Sequence, residues 1–519
     1  MNGNTLQILI AMAIYMAIVI VIGLVYAKKA NQSSENYYLG GRSLGPWVTA
    51  MSAEASDMSG WLLMGLPGVA YWCGLADAAW TAIGLAIGTY FNWLIVSKRL
   101  RRYSIRTSSI TLPEFFSNRF HEKKKVIMTV AAAFILVFFT VYAASCFVTC
   151  GKLFSTLFGL PYMSMMVIGA IFVLVYTLLG GFLAESASDF MQGVVMIVAL
   201  AIIVTISTIK AGGIGEVIAN AQQIPGFLEF FGLATPVLEE GTQVVANGAP
   251  LFGDAAPYTI LSVCSCMAWG LGYFGMPQVL LRFMAIRKES ELKSSRRIAM
   301  IWVVISLAVA VFIGIIGRHL FPVAHLTKSA AENIFITLST SYLPPIFAGF
   351  VMAGILAATI SSSDSYLLIA ASAFAKNIFQ GVVKKNASDK QVMWVSRITL
   401  LVIALVAGVI ALDENSVIFE VVSFAWSGFG ATFGPLMLFS LFWKRTTRAG
   451  AIAGMVSGGG MVFLWKLAIA PLGGVFAIYE LLPAFIFSAI VIVIVSLLTK
   501  KPSAEIEADF EFVKNNACE

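Results

Sequence analysis

The stretch Ser52-Ala-Glu-Ala-Ser-Asp-Met-Ser-Gly-Trp-Leu-Leu-Met-Gly-Leu-Pro-Gly68 lies inside a hydrophobic run, roughly residues 47–72, that is long enough to cross a bilayer. The run nevertheless contains two carboxylates, Glu54 and Asp57, and the helix breakers Gly60, Gly65, Pro67 and Gly68. A charge at the membrane centre costs at least about 2.5–3.5 kcal/mol, and non-helical backbone at that depth must face protein or a water-filled cavity. A broken spanning helix beside a carboxylate is typical of a cation site, so the stretch indicates ion-coupled transport.

The composition of the chain is that of an integral membrane protein. Hydrophobic residues make up 59% of the sequence and charged residues 12%, with a mean hydropathy of +0.87. Soluble domains usually contain about 25% charged residues. No basic residue precedes the first apolar run and no small-residue cleavage site follows it, so we expect a retained span rather than a signal peptide. We expect no disulfide framework from the six cysteines, which are Cys73, Cys146, Cys150, Cys264, Cys266 and Cys518.

Thirteen apolar runs are each long enough to span about 30 Å of hydrocarbon. We expect an all-α fold, because in lipid only helices and closed barrels satisfy their own backbone. A single transmembrane domain is predicted over residues 1–499, followed by a short cytoplasmic tail at 500–519. The predicted spans are 5–27, 47–72, 75–97, 126–150, 162–181, 187–209, 258–285, 298–317, 343–375, 393–411, 416–443, 449–470 and 476–499.

The basic residues predict the orientation of these spans. With the N-terminus outside, the cytoplasmic segments contain 29 of the 34 lysines and arginines, including six in the segment Arg282–Arg297. The long outer segment from Ala211 to Pro257 contains none. This asymmetry follows the positive-inside rule and accounts for the net charge of +7 without any nucleic-acid partner. We therefore predict a multi-pass protein of the cell membrane with a cytoplasmic C-terminus.

Two of the predicted spans, the second and the seventh, are interrupted. The seventh contains Met267-Ala-Trp-Gly-Leu-Gly-Tyr-Phe-Gly-Met-Pro277, and the two interruptions are five helices apart. Matching interrupted helices in two halves indicate the central site of a transporter. Each half would contain five helices, and because this number is odd, the second half enters the membrane in the opposite orientation to the first. Spans 2–6 (47–209) and 7–11 (258–443) would thus form an inverted pair, with spans 1, 12 and 13 peripheral. The alternative is that the glycines only permit close helix packing.

The ninth span supplies hydroxyl groups that suit a cation. Ala358, Ser361, Ser362 and Ser365 recur at the spacing that places side chains on one helical face. Hydroxyl and carbonyl oxygens are hard ligands. In the alternative, the serines bond to carbonyls of their own helix or join neighbouring helices. Asp189, near the start of the sixth span, is a further acid that could be either a ligand or a helix-end residue near water.

Four motifs resemble those of the sodium/solute symporter family, and most closely its sodium/proline branch. The resemblance runs nearly end to end. The motifs are Leu39-Gly-Gly-Arg-Ser-Leu-Gly-Pro46, Ser56-Asp-Met-Ser-Gly-Trp-Leu-Leu-Met-Gly-Leu-Pro-Gly68, Trp269-Gly-Leu-Gly-Tyr-Phe-Gly275 with Pro277, and Lys444-Arg-Thr-Thr-Arg-Ala-Gly-Ala-Ile-Ala-Gly454.

This resemblance implies a LeuT-type 5+5 inverted repeat and sodium-driven uptake of L-proline by alternating access. It implies that Asp57 is the residue that couples sodium to transport. By position, the sodium ligands would be Ala55, Met58, Ala358, Ser361 and Ser362. The substrate pocket would contain Trp61, Tyr142, Trp269, Tyr273 and Pro277. A second sodium site would involve Asp189, Ser361 and Ser365, and Asp364 is a candidate for it by its position beside Ser365.

Two positions depart from the family pattern. Glu54 stands where a glycine is expected and Asp364 where a serine is expected, and each adds an acid near the ion path. These two acids leave the number of ions transported per substrate open.

Independently of the family, the faces of Trp269 and Tyr273 could hold the ammonium of a small zwitterion by cation–π attraction, worth about 0.5–2 kcal/mol.

Other functions are less compatible with the sequence. The chain has no Gly-x-x-x-x-Gly-Lys phosphate loop and no evident catalytic constellation, so we expect neither an enzyme nor an ATP-driven pump. No cofactor besides Na⁺ and no obligate protein partner is expected. The alternatives are sodium symport of another small organic solute, such as pantothenate or a different amino acid, and a channel. The paired interruptions favour alternating access over a channel.

Overall fold

The computed structural model describes residues 3–30 and 33–516 of the chain. Cys518 and the rest of 517–519 lie outside these residues, and the five other cysteines are free thiols. The helices are α1 Gly3–Ala30, α2 Ser34–Leu39, α3 Pro46–Asp57, α4 Leu66–Cys73, α5 Leu75–Phe91, α6 Ser97–Arg106, α7 Leu112–Arg119, α8 Val126–Phe158, α9 Tyr162–Lys210, α10 Ile214–Ala221, α11 Ile260–Met267, α12 Trp269–Gly272, α13 Pro277–Ala285, α14 Leu292–Leu320, α15 Lys328–Ala331, α16 Ile334–Tyr342, α17 Pro345–Ser372, α18 Asp389–Ile410, α19 Ile418–Phe442, α20 Arg448–Leu464, α21 Leu481–Leu498 and α22 Ala504–Asn515.

Single turns of tighter or wider helix connect several of these elements. The 3₁₀ segments are Gly40–Arg42, Glu289–Glu291, Ala470–Leu472 and Gly474–Phe476. The π-helical segments are Trp61–Gly65, Asn92–Val96, Ala373–Val383 and Trp465–Ile469.

The helices make this a multi-pass membrane protein. Within the described residues, ten helices are long and apolar enough to cross a membrane, or eleven when the bent pair Ile260–Gly272 and Pro277–Ala285 is counted as one span. Two further apolar helices, Trp61–Cys73 and Tyr162–Leu178, are shorter. They fall in the second and fifth of the thirteen predicted spans. Outward-facing side chains of the outer helices are large and apolar, as lipid contact requires.

The fold is mostly helical, and the long loop between α10 and α11 adds short strands that the sequence did not predict. Six two-residue strands form three antiparallel pairs there: β1 with β6, β2 with β3 and β4 with β5. Their bounds are β1 Gly232–Leu233, β2 Leu238–Glu239, β3 Thr242–Gln243, β4 Val245–Ala246, β5 Ala249–Pro250 and β6 Ala256–Pro257. Such short hairpins lie outside the apolar helices, where water or loop groups can satisfy the strand edges.

The second predicted span is broken, as the sequence indicated, but the break is shorter than its glycines and proline suggested. Helix α3 ends at Asp57, and Met58 adopts φ −81° and ψ 78°, outside the helical region. Helix resumes as a π-helical turn at Trp61, and α4 continues it through Pro67. Pro67 directly follows Leu66, where the π-helical turn Trp61–Gly65 passes into α4.

The seventh predicted span is broken between α12 and α13, and its two parts are bent by 40°. Met276 has extended backbone geometry, and Pro277 begins α13. A Cβ on Gly275 would lie 2.4 Å from the carbonyl oxygen of Phe429 and 2.8 Å from the backbone nitrogen of Gly434. Only glycine therefore allows the broken segment to approach α19 this closely.

Helices α3 and α17 form the centre of the bundle. Helix α17 packs against α9, α1 and α8, and α3 packs against α9, α14, α13 and α17. All side chains of α17 from Val351 to Ser372 are buried. Helix α9 is itself interrupted at Gly181, whose φ of 68° favours glycine. Polar side chains on these central helices consequently face protein rather than lipid.

Arg282, which the distribution of basic residues assigns to a cytoplasmic segment, lies on α13 with its side chain fully buried. The helix continues three residues beyond it, to Ala285. The guanidinium is therefore an interior charge with interior partners.

Candidate functional site

The two broken spans meet at the carboxylate of Asp57. The hydroxyl of Tyr273 donates a 2.8 Å hydrogen bond to Oδ2 of Asp57, and Nε2 of Gln278 donates a 3.2 Å bond to Oδ1. Asp57 is the last residue of α3, while Tyr273 and Gln278 flank the break before α13. One fully buried acid thus joins the break in one span to the break in the other.

The serines of α17 face the same end of α3. Ser361 Oγ donates a 2.8 Å bond to the carbonyl oxygen of Ala55, and Ser362 Oγ donates a 3.4 Å bond to the same atom. Ser361 Oγ also lies 3.2 Å from the carbonyl oxygen of Ala358. The structure therefore brings together four of the five predicted sodium ligands: two hydroxyl and two carbonyl oxygens.

Met58, the fifth predicted ligand, lies at the break itself and is fully buried. Its backbone leaves the helix directly after Asp57, and its N–H closes the last turn of α3 by donating to Glu54 at 2.8 Å. The predicted ligand atoms are all oxygens. They come from two segments that are far apart in the sequence, the end of α3 and the middle of α17. Oxygen donors of this kind suit a hard monovalent cation better than a soft transition metal.

Aromatic rings surround the seventh-span break. The rings of Trp61 and Trp269 are 6.2 Å apart, and Trp269 stacks on Tyr479 at 5.2 Å. The indole of Trp426 donates a 2.8 Å hydrogen bond to the carbonyl of Trp269 and contacts the ring of Tyr273 edge-on at 5.0 Å. This cluster supplies π faces next to Asp57, which is the combination that attracts a cationic group.

Tyr142 and Pro277 complete the predicted substrate residues. The Tyr142 ring stacks on Tyr366 at 4.1 Å, and its hydroxyl lies 3.5 Å from the carbonyl oxygen of Asp57. The indole of Trp61 donates to that same carbonyl at 3.3 Å. Pro277 begins α13 and is buried, one residue before Gln278. All five predicted substrate residues therefore surround the Asp57 region or the break that contacts it.

A cavity of about 470 Å³ lies between the strand-bearing loop and the aromatic cluster. Its wall includes Leu233 of β1, Lys328 of α15, Asp77 of α5 and Trp269. Trp269 therefore belongs both to the cavity wall and to the aromatic cluster around the break.

Arg282 is the centre of a second polar cluster. Its guanidinium bonds Asp189 at 3.1 Å, Ser52 at 3.0 Å and Ser365 at 2.9 Å, and it also forms an ion pair with Glu185. Ser52 donates a 2.7 Å bond to Asp189, and Ser365 donates to Glu185. Asp189 is completely buried, so it is not a helix-end residue near water. Because a lone buried charge is costly, these partners hold one another in place.

The two departures from the family pattern lie in different surroundings. Asp364 Oδ1 accepts a 2.8 Å bond from the backbone N–H of Ser365. With Glu185, Asp364 lines a cavity of about 10 Å³. Glu54 instead accepts a 3.1 Å bond from the indole of Trp93. Asp364 thus belongs to the Arg282 cluster, whereas Glu54 is bound to the π-helical turn after α5.

Among the charged and amide side chains of these clusters, Gln278, Glu185 and Arg282 were not predicted as site residues. Gln278 directly follows Pro277, and a single amide in an apolar run carries no specific signal. Glu185 and Arg282 each stand at the edge of an apolar run, where a charge usually marks the membrane boundary. Their opposite charges pair beside Asp189 in the fold, but they are far apart in the sequence, so the sequence alone carries no signal of this pairing.

Comparison with known sequences gives a consistent result. The family described as the sodium:solute symporter family matches residues 37–458 of the chain. Proteins called sodium/proline symporter from Staphylococcus aureus strains USA300 and NCTC 8325 are each 40% identical over 516 residues. The matches cover 98% of this chain and 96% of each relative.

Solved structures resemble the fold. A Na⁺-coupled sialic acid symporter in a substrate-bound, outward-open state matches with a TM-score of 0.76 and 17% identity, covering 96% of this chain and 99% of that one. Mhp1, a nucleobase-cation-symport-1 family transporter in a closed conformation, matches with a TM-score of 0.53 and 13% identity, covering 93% and 100%. At these identities the similarity concerns the fold alone.

Proposed function

The chain belongs to the sodium:solute symporter family, and on that basis we propose that it takes up L-proline together with sodium by alternating access. The relatives named sodium/proline symporter, 40% identical along almost the whole chain, support the choice of substrate. The single observation that carries the mechanism is the contact of Ser361 on α17 with the Ala55 carbonyl on α3, directly before the broken segment.

In this proposal sodium binds between α3 and α17. Its ligands are the carbonyl oxygens of Ala55, Met58 and Ala358 and the hydroxyls of Ser361 and Ser362. The 2.8 Å and 3.4 Å bonds from the two serine hydroxyls to the Ala55 carbonyl support this site, because they show that the oxygens already lie close together. A cation bound between these oxygens would replace the hydrogen bonds. Sodium would then fasten the two helices and favour the conformation that binds solute.

L-proline would bind at the seventh-span break, against the aromatic cluster. Its secondary ammonium would face the rings of Trp269 and Tyr273, and its apolar ring would lie among Trp61, Tyr142 and Pro277. Cation–π contact and burial of a small apolar ring both favour such a pocket. Asp57 would connect the two binding sites, because its carboxylate accepts a hydrogen bond from Tyr273 and its backbone lies next to the sodium ligands Ala55 and Met58.

The Arg282 cluster is the proposed second sodium site, with Asp189, Asp364 and Ser365 as ligands. Glu185 and Asp364 line the 10 Å³ cavity, which has room for about one water-sized species. The guanidinium already bonds Asp189 and Ser365. An ion would therefore share these oxygens with Arg282 or displace it from them.

We propose the membrane arrangement that the basic residues predict. Thirteen spans would place the N-terminus outside and the C-terminus in the cytoplasm, within a single transmembrane domain over 1–499. Spans 2–6 and 7–11 would form the LeuT-type inverted repeat, which allows one half to rock against the other around a fixed site. The breaks at 58–60 and 273–276, one in each half, support this arrangement.

Uptake of radiolabelled proline into proteoliposomes tests the proposal. Proline should accumulate above its external concentration only when an inward sodium gradient is present, and a potassium gradient should not replace it. Pantothenate and other amino acids, added unlabelled in excess, serve as competitors. Equal uptake with and without sodium would contradict the proposal, and strong competition by another solute would correct the substrate.

A further inference from the structure

A basic cleft lies where three helices end or begin on one side of the molecule. It has a volume of about 290 Å³ and is bounded by the start of α20, the end of α21 and the start of α22. Helices α20 and α21 both belong to candidate membrane spans. The cleft therefore lies at the boundary between the hydrocarbon region and water, independently of which side faces the cytoplasm.

The charge of the basic cleft is not compensated by the protein. Arg448, Lys500 and Lys501 line it, and no acidic residue does. In the part of the chain that the structure describes, none of these three forms an ion pair. Of the acids of α22, Asp509 pairs with Arg106 at 2.9 Å, Glu511 pairs with Lys444 at 3.6 Å, and Glu505 lies 3.8 Å from His121. Glu507 stands in the first turn of α22 and does not line the cleft. Three positive charges in one concave site favour an anionic ligand.

One hydroxyl group accompanies these charges. The hydroxyls of Thr447 and Thr499 lie 2.8 Å apart and bond each other, and Thr499 also donates to the Val495 carbonyl at 2.8 Å, so Ser503 is the lining hydroxyl that a ligand can use. Ser503 precedes α22, and its side chain makes no capping bond to that helix. The N–H groups of the first turn of a helix favour an anion when no side chain caps them. Phosphate oxygens accept bonds from hydroxyl, ammonium and guanidinium groups alike.

The surroundings favour a lipid as the source of the phosphate. Leu498, directly before the cleft residue Thr499, is 81% exposed, and Leu497 is 58% exposed. Both belong to the apolar helix α21, so their exposed surface faces acyl chains. A free phosphate ion would make no use of this surface. A phospholipid would fill the cleft with its headgroup and cover the leucines with its chain.

We propose that the basic cleft binds the headgroup of an anionic phospholipid in the membrane leaflet that it faces. The ligand is a phosphate diester with a net negative charge, which Arg448, Lys500 and Lys501 hold by charge and the Ser503 hydroxyl holds by a hydrogen bond. By joining the ends of α20, α21 and α22, the lipid would fasten the C-terminal helix to the membrane domain. This inference does not depend on which solute the protein transports.

Lipid retention by the full-length protein tests the inference. The protein is placed in nanodiscs of equimolar phosphatidylglycerol and phosphatidylcholine, released in the mass spectrometer, and its retained lipids are counted. The wild-type protein should retain phosphatidylglycerol in preference to phosphatidylcholine. Equal retention of the two lipids by the wild-type protein would overturn the proposal without any variant.

A pair of matched triple variants locates the site. R448Q/K500Q/K501Q should lower the preference for phosphatidylglycerol about tenfold or more, because each basic residue near an anionic surface contributes separately. K384Q/K385Q/K390Q removes three exposed lysines that do not line the cleft and should leave the preference unchanged. An equal loss in both variants would mean that overall charge, not the cleft, selects the lipid.

Inorganic phosphate distinguishes the two sources of the anion. Millimolar phosphate should neither displace the retained phosphatidylglycerol nor raise the thermal unfolding midpoint of the delipidated protein. Phosphatidylglycerol should raise that midpoint for the wild-type protein and the 384–390 variant. If phosphate alone stabilised the protein through Arg448, Lys500 and Lys501, the cleft would be a soluble-anion site and the lipid assignment would be wrong.

Discussion

The hydroxyl of Tyr273 donates a 2.8 Å hydrogen bond to the carboxylate of Asp57, across 216 positions of the sequence. Each residue stands at the break of its own span, so this bond connects the two irregular segments of the bundle. A change in one break therefore reaches the other directly, without passing through the outer helices.

Tyr273→Phe tests this connection. The substitution keeps the ring and its contact with Trp426 but removes a hydrogen bond to a charged group, worth about 1.5–3 kcal/mol. We expect the sodium concentration for half-maximal proline uptake and the KM for proline to rise together, roughly tenfold each. Tyr90→Phe, on an exposed side chain of α5, is the control. A Tyr273→Phe protein that matches the control would show that the bond does not couple the breaks.

Trp269→Ala tests the position of the substrate. Loss of one cation–π face, worth about 0.5–2 kcal/mol, should raise the KM for proline about 2- to 30-fold. Half-maximal sodium at saturating proline should change little, because Trp269 touches none of the proposed sodium ligands. Trp394→Ala, on the exposed face of α18, controls for loss of an indole. Unchanged proline affinity in a well-folded Trp269→Ala protein would move the pocket elsewhere.

Single cysteines test the orientation. In a background without native cysteines, which is needed because Cys264 is exposed, we place a cysteine at Glu239 or at Lys385. Both positions are exposed, but the basic residues predict that the first faces outward and the second faces the cytoplasm. An impermeant thiol reagent added to intact cells should label only the first. The reverse pattern would invert every loop.

Arg282→Gln tests whether the second cluster depends on its one cation. Removing the guanidinium leaves Glu185 and Asp189 buried without it, and breaking a buried ion pair costs about 3–5 kcal/mol. We expect a lower thermal unfolding midpoint in detergent for this variant. Adding Glu185→Gln should restore part of the loss, since it removes one of the acids left behind. Equal midpoints for the wild type and Arg282→Gln would contradict this role.

Helical periodicity and the positions of glycine and proline predict those features of the site that depend on neighbouring residues in the sequence. Glycine and proline in a long apolar run predict the two breaks, and helical spacing predicts that Ser361 and Ser362 share a face. Contacts between distant segments are not visible in this way. Arg282 at the end of an apolar run resembles a loop cation until the fold places it beside Asp189. The hairpins between α10 and α11 escape prediction for a different reason, since two-residue strands carry no measurable alternation.

The central claim is that sodium binds between α3 and α17, and sodium activation curves of three serine variants test it. Ser361→Ala and Ser362→Ala each remove a hydroxyl that bonds the Ala55 carbonyl. Ser363→Ala is the matched control, because its hydroxyl bonds back to Thr359 of its own helix at 2.6 Å.

Proline uptake is measured against sodium concentration in proteoliposomes that contain equal amounts of each protein. Loss of one ligand oxygen, at about 1.4 kcal/mol or more, should raise the half-maximal sodium concentration about tenfold in Ser361→Ala and Ser362→Ala. The curve of Ser363→Ala should match the wild type. Wild-type sodium dependence in both Ser361→Ala and Ser362→Ala would contradict the proposed sodium site.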